Sequence, residues 1–467
     1  MVVMTRIRLW SSALFGEGNI VRTLFIGSLV AHFVVFFAML WIYGPCVFFL
    51  SSDCATTNND TQHYVVLANN LAHGNGYSRF ADPPFEPDAL RTPLLPLYFV
   101  PFTYVGGLRL IWLAVLLLNV LLSIAPIALY KLARFFVPHA YAAVAGVLLV
   151  LEPLYVYRSQ IAEPDAILVL MLLGALYFLV CSWRYDRLRD RVVCASILGL
   201  AILAKPSAQY LAVIILFFEL LFLLFFSKLT WGVRAKHFAL MLIIVMAIVS
   251  PWVIRNKIVF GTAQISSIQA YNLYEYYTKH IPLSGESVPE TIREGSREPS
   301  RYLPYQTYFT SIAIARIKAQ PTLYLKEQVV GTLRNLFVSD IAAIYYYGHT
   351  KLLPFPYNPE AHVSINDFLL RGDGMGAFGV SLHVIPKVIW AAFMLFVYIA
   401  AVIGWCIAWK RDRSIFLTFT LFFVLYAYLL ASSGPYVDAK YRLPGLGLVA
   451  LVALYGASRI RLALPEV

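Results

Sequence analysis

The chain has 467 residues, of which 60% are hydrophobic and 13% charged, and its mean hydropathy is +0.71. Soluble domains carry about 25% charged residues, so this composition excludes an ordinary soluble domain, and with it intrinsic disorder, collagen and a small disulfide scaffold. The formal charge of +12 would suit nucleic acid, but the placement of the basic residues argues otherwise. The pattern is that of a polytopic, all-α membrane protein.

A membrane-spanning helix needs about 20 mostly apolar residues. The first candidate runs from Thr23 to about Leu50, after a basic start with Arg6, Arg8 and Arg22. It is too long for a signal-peptide core and lacks a small-residue cleavage site, which predicts a retained helix. Further apolar runs are Leu108–Tyr130, Tyr141–Tyr157, Ala166–Ser182, Val192–Ala204, Ala208–Phe226, His237–Trp252, Pro386–Trp409, Ser414–Leu430 and Pro444–Ser458, about ten spans in all. Leu94–Val105 is apolar but short and reads as a surface or re-entrant piece.

Lys and Arg in short loops mark the cytoplasmic side. With the N-terminus inside, the cytoplasmic segments hold Arg6, Arg8, Arg22, Lys131, Arg134, Arg184, Arg187, Arg189, Arg191, Lys228, Arg234, Lys236, Lys410, Arg411, Arg413, Arg459 and Arg461. The opposite short loops hold Arg158, Lys205, Lys440 and Arg442. The basic residues therefore report topology rather than a nucleic-acid partner, and both termini are expected in the cytoplasm.

The predicted organisation is a cytoplasmic stretch and first span (1–50), a first extracytoplasmic loop with the candidate catalytic residue (51–107) and a core bundle (108–252). A large extracytoplasmic loop (253–385) and the C-terminal spans (386–467) follow. Ser78 and Ser287 are expected to be reachable from outside. Five scattered cysteines show no metal-ligand spacing, and only Cys46 and Cys54 are close enough to suggest a bridge. No P-loop, GxGxxG or HExxH motif occurs.

In the first outer loop, residues 59–74 read as a capped helix with Asp60 at the N-cap, Tyr64, Leu67, Ala68 and Leu71 on one face, and Gly74 as the stop. Asp60 is thus either a cap or a carboxylate placed to act as a base. Gly76-Tyr77-Ser78 and Arg91-Thr92-Pro93-Leu94-Leu95-Pro96 follow. Glu163-Pro164-Asp165 opens a span, where the macrodipole favours acids, but the same carboxylates suit sugar or cation binding. Lys205, Arg255 and Arg442 read either as interfacial anchors or as phosphate ligands. All of these residues map to one face of the membrane, which is what a reaction on a lipid-linked phosphate needs.

The ordered set of Asp60, Tyr64, Gly74-Asn75-Gly76-Tyr77-Ser78, Arg91–Pro96, Ala162-Glu163-Pro164, Leu203–Pro206, Pro251–Gly261, Tyr271–Tyr274 and Tyr441–Pro444 resembles the C superfamily of membrane glycosyltransferases. Within it, the set is most similar to the branch of protein O-mannosyltransferases and aminoarabinose transferases. The resemblance spans residues 53–444, with Lys279–Asp373 outside it. It implies a multi-pass protein of the cytoplasmic membrane with its active site outside, and transfer of a sugar from a polyprenyl phosphate to an acceptor hydroxyl with inversion. Asp60 would be the base. Lys205, Arg255 and Arg442, with Arg91 in reserve, would hold the donor phosphate, and Tyr64, Tyr77, Glu163 and Asp165 the sugar or acceptor. A cofactor is not required, although a divalent ion could join the carboxylates. The acceptor could be a glycan, a lipid or a protein. Rival functions are a lipid-linked-glycan flippase, a non-catalytic assembly subunit, and a polymerase or ligase acting on undecaprenyl-diphosphate glycans.

Overall fold

The computed structural model describes residues 17–44, 59–283, 286–338 and 376–461, and among these no strand occurs. The helices in chain order are α1 (Glu17–Tyr43), α2 (Asn59–Ala72), α3 (Leu94–Gly106), α4 (Ile111–Leu122), α5 (Ala125–Ala133), α6 (His139–Val150), α7 (Pro153–Arg158), α8 (Asp165–Tyr185) and α9 (Leu188–Ala204). They continue with α10 (Ala208–Phe225), α11 (Trp231–Phe260), α12 (Ile268–Asn272), α13 (Glu290–Glu294), α14 (Gln306–Ala319), α15 (Pro321–Phe337), α16 (Gly376–Arg411), α17 (Arg413–Ala431) and α18 (Leu443–Arg461). The expected all-α membrane bundle is therefore present. Cys46 and Cys54 lie outside the described residues.

Among the described residues, eight helices are long and apolar enough to cross a membrane. The other two runs read as spans are the 12-residue α6 and the 17-residue α9. Leu94–Val105 differs from expectation. It is not an isolated surface piece but the start of a 40-residue apolar helical run, Leu94–Ala133, carried through α3, α4 and α5. Pro101 inside α3 and the short turn at 107–110 divide that run, so its first piece, Leu94–Val105, looks too short on its own.

Many large apolar side chains point outward, among them Val34, Phe37, Trp41, Phe225, Met246, Ile258 and Phe396. Lipid is as apolar as leucine, so helix association here depends on close packing rather than on escape from water. The C-terminal helix α18 supplies it, packing against α5, α6, α8, α16 and α17. At its crossing with α16 the two backbones nearly touch: a Cβ placed on Gly456 would lie 3.0 Å from the Gly404 Cα. Any side chain there would pry the pair apart.

The loops gather the charges at the two ends of the bundle. At one end lie the turns 158–165, 204–208 and 431–443 together with residues 59–93 and 261–305. Tyr428 in α17 donates to Ser207 O across two of these turns at 2.9 Å. Toward the other end the buried Glu219 of α10 accepts from Arg191 Nε at 2.8 Å and from Trp183 Nε1. Glu219 is thus a matched structural ion and not part of a charged path through the bundle. Replacing Arg191 by leucine strands that carboxylate and should cost about 3–5 kcal/mol, whereas adding Glu219→Leu should restore most of it. Thermal unfolding of the detergent-solubilised variants checks this; equal losses for the single and the double variant would refute the pairing.

Candidate active site

The helix opened by the first-loop acid starts at Asn59, so Asp60 lies inside the first turn of α2 rather than at its cap. That position turns its carboxylate toward Arg91, whose Nη2 donates to Asp60 Oδ1. The Arg91 side chain is almost enclosed, while the Asp60 side chain keeps 40% of its surface open. The same Arg91 nitrogen lies 3.2 Å from His63 Nδ1, one turn along α2. The guanidinium also covers the ring of the buried Tyr64 at 5.4 Å. Arg91 is thereby fixed by an acid, an imidazole and an aromatic face.

The charges set the protonation states. Burial pushes the Asp60 pKa up, but Arg91 and Lys440 outweigh it and hold the carboxyl below its ordinary value. Burial and the Arg91 charge push His63 down to about 2, so its ring is neutral and Nδ1 accepts from Arg91. Burial pushes Glu163 up to about 7 against the pull of Arg158 and Lys440.

Glu163 connects the first loop to the bundle. Its Oε1 accepts from Thr61 beside Asp60 at 3.3 Å, and its Oε2 accepts from Arg158 at the same distance. The fully buried Arg158 also bridges to Asp438 at 3.3 Å. Asp165, the first residue of α8, pairs with Lys205 Nζ at 2.5 Å. Lys205 and Lys440 lie against one ring, that of Tyr441, at 5.8 and 5.7 Å from its centre. Asp60, Arg91, Glu163, Asp165 and Lys205 therefore meet in one place, joined by Tyr64 beneath Arg91.

Other expected residues stand apart from this cluster. Tyr77 donates to Arg91 O at 3.1 Å, so it supports the backbone of the site, and its ring packs on Trp252. Arg255 lies over that same Tyr77 ring and donates to Asp88 O at 2.7 Å. Arg442 is buried, donates to Val338 O at 2.7 Å and covers Trp390. Both arginines thus hold loop backbone.

Lys440, Arg158, Asp438, His63 and Thr61 were not singled out from the sequence. Lys440 stood two residues before Arg442, and only the 3₁₀ turn Ala439–Tyr441 decides which of the two cations faces the carboxylates. Asp438 sets that turn, accepting from Lys440 N at 2.9 Å. Among the described residues no group of three or more His, Cys, Asp or Glu side chains could hold a metal ion. Each carboxylate of the cluster is instead matched by Arg or Lys.

The described part of the second long loop lies on the first. Ser267 N donates to Ala89 O at 3.1 Å and Ser296 Oγ to Glu86 at 2.6 Å. Arg79 pairs with both Asp88 and Glu298.

The profile of the dolichyl-phosphate-mannose-protein mannosyltransferase family matches residues 91–254, which include Arg91, Arg158, Glu163, Asp165 and Lys205. The oligosaccharyltransferase of Archaeoglobus fulgidus, in its apo form, is similar in structure, with a TM-score of 0.52 at 13% identity, covering 96% of this chain and 50% of that one. The fold is like that of this archaeal oligosaccharyltransferase. The same archaeal protein tethered to an acceptor peptide containing the NVT sequon gives 0.50 at 13% identity over the same shares. ArnT from Cupriavidus metallidurans bound to undecaprenyl phosphate matches with a TM-score of 0.37 at 14% identity, over 91% of this chain and 77% of that one. The chain spans about half the length of the archaeal protein. No curated protein matches its sequence.

The Asp60–Arg91 pair has a pH signature. A carboxylate with a lowered folded pKa adds stability above its ordinary value of about 4, and loses it as pH falls through the folded value. The difference in Tm between wild type and Asp60→Asn should therefore be constant above about pH 5 and shrink below about pH 4. A difference that widens on acidification would show that Arg91 does not hold Asp60 ionised.

Proposed function

We propose that the protein transfers a sugar from a polyprenyl-phosphate donor to an acceptor hydroxyl on the extracytoplasmic face of the membrane, with inversion and with Asp60 as the base. The carrying observation is the partly open, ionised Asp60 set beside Arg91 in a cluster that also holds Lys205 and Lys440. The glycosyltransferase fold and the family profile over residues 91–254 support it.

The donor is a phosphodiester, so the bond from the anomeric carbon to the phosphate oxygen breaks and polyprenyl phosphate departs with one more negative charge. The acceptor oxygen forms the new bond from the opposite side and its proton passes to Asp60. A strongly ionised carboxylate is a weak base toward a resting hydroxyl. It becomes competent as the acceptor oxygen gains positive charge during bond formation, and in the ground state it orients that hydroxyl. The charge arriving on the phosphate falls to Lys205 and Lys440, both against the Tyr441 ring. Arg91 keeps Asp60 aimed, with neutral His63 holding the guanidinium. Arg255 and Arg442 serve by shaping the loops. The acceptor is a glycan, lipid or protein hydroxyl.

Glu163, with a pKa of about 7, is the other candidate base, since that value suits proton transfer at neutral pH. It is 3% exposed and already shares its oxygens between Thr61 and Arg158, so geometry favours Asp60. A flippase would need charged groups along the bundle, whereas these converge at one end.

Asp60→Asn keeps the shape and the hydrogen-bond acceptor but removes the base. It should fold and insert normally while transfer from a polyprenyl-phosphate sugar drops by about 10²-fold or more. Wild-type turnover in that variant would leave Asp60 a structural residue. The orientation is checked by single cysteines. Ser78 is buried and unsuited to labelling, so exposed His73 and Ser287 serve for the outside, and exposed Arg187 for the inside. Cysteines at 73 and 287 should react with an impermeant maleimide in intact cells, and one at 187 only after permeabilisation. The reverse pattern would overturn the placement of the site.

A further inference from the structure

A π-helical turn, Leu273–Tyr277, lies in the second long loop immediately after α12. Such turns are rare and recur at functional sites, because the extra residue re-aims side chains that a regular helix would stack. Here it separates two adjacent tyrosines. Tyr277 is tied down, donating to Ser432 O at 2.8 Å, and its ring lies against Gly434, where a Cβ would come within 2.8 Å. Gly434 also has a φ of +62°, so the close approach and the backbone both call for glycine. Tyr276 is left 50% exposed.

Tyr276 meets Tyr436, itself 42% exposed, with ring centres 6.0 Å apart and planes at 60°. The corner continues on one side to Tyr271, 5.7 Å from Tyr276, and on the other to Tyr441, 6.5 Å from Tyr436. Tyr441 is the ring that carries Lys205 and Lys440. The charge of Asp60 is felt by the hydroxyls of both Tyr276 and Tyr436. Two part-exposed aromatic faces at an open angle, next to a carboxylate, match a ring that has apolar C–H faces and a polar rim. That is the amphipathic shape of a pyranose, whose C–H bonds present positive hydrogen to the negative π-face while its hydroxyls bind at the edge. An aromatic anchor for the membrane interface would instead face lipid.

We infer that Tyr276 and Tyr436 form a stacking corner that receives a pyranose ring beside Asp60. It deepens the glycosyl-transfer function by assigning a sugar subsite, and the ring is that of the donor or of a carbohydrate acceptor. The test uses the full chain in lipid nanodiscs, deuterated except at tyrosine, with methyl pyranosides of gluco, manno, galacto and 4-amino-4-deoxyarabino configuration as probes. Saturation of the tyrosine rings should pass to the C–H protons of at least one probe. Tyr276→Leu and Tyr436→Leu should each weaken that probe by roughly 2- to 10-fold, and the Phe variants should not. A farnesyl-phosphoryl hexose that displaces the probe assigns the corner to the donor sugar, and one that binds alongside it assigns the corner to the acceptor. No transfer of saturation to any probe from wild-type protein would overturn the inference, as would Leu variants that bind as wild type. So would displacement of the probe by a serine- and threonine-containing peptide alone. Asp60→Asn should keep the contact while losing transfer; wild-type protein that binds the probe yet transfers no sugar from a polyprenyl-phosphate donor would refute the transfer function and leave the subsite standing.

Discussion

Arg158 is the residue on which the site's assembly depends. Its side chain is wholly enclosed, and it holds Glu163 through one terminal nitrogen and Asp438 through the other. These carboxylates belong to segments 275 residues apart, one leading into α8 and the other into α18. A buried cation between them is expensive to desolvate, and it is retained only because both partners are present. Through Glu163 the bridge reaches Thr61 and hence the turn that carries Asp60. Through Asp438 it sets the 3₁₀ turn that carries Lys440. Asn335, fully buried in α15, secures the same turn by accepting from Asp438 N at 2.9 Å and donating to Tyr436 O at 3.1 Å. One guanidinium therefore fixes the relative position of Asp60 and Lys440.

On the proposed function, the charge balance around this bridge fits an anionic donor at a site rich in carboxylates. Asp60, Glu163, Asp165 and Asp438 face Arg91, Arg158, Lys205 and Lys440. With Glu163 ionised the set is neutral. Because burial pushes Glu163 to about 7, a substantial fraction holds a proton near neutrality, and the set then carries one positive charge in excess. A phosphodiester brings one negative charge. The match requires no divalent ion, and it works at low dielectric, where an uncompensated charge would be felt most strongly.

Much of this was legible in the sequence, and the reasons differ by residue. Apolar length and basic loops report directly on the membrane, so the all-helical bundle followed from them; the start of the run Leu94–Ala133 did not, because Pro101 and Gly106-Gly107 cut Leu94–Val105 off as a piece below spanning length. Glu163, Asp165 and Lys205 could be placed on one face because each sits at a span boundary, and Asp60 because its loop opens on that same side. The direction of a side chain leaving a turn could not be read the same way. Lys440 and Arg442 are two residues apart in one loop, and a single turn of 3₁₀ helix sends the first into the site and the second into the protein. Arg255 is likewise drawn to the Asp88 carbonyl by a loop contact across 167 positions, a separation that no local pattern reports. Arg158 was visible only as a charge on the outer side, and its partner at 438 lay too far away in sequence to suggest a bridge.

The two halves of the site differ in what builds them. The cations and most of the carboxylates sit at the ends of spanning helices or in the short turns between them, where the bundle's packing leaves little freedom. The opposite wall comes from residues 271–277 and 286–303, stitched to the first loop by Glu86, Arg79 and Ser267 and to the end of α17 by Tyr277. These are mostly polar loop contacts outside the main hydrophobic core, so much of this wall can accept a different sequence with little effect on the helices beneath. Under the proposed function, the donor's phosphate would meet the rigid part and the other reactant the loop. The family profile, which ends at residue 254, likewise stops short of this wall.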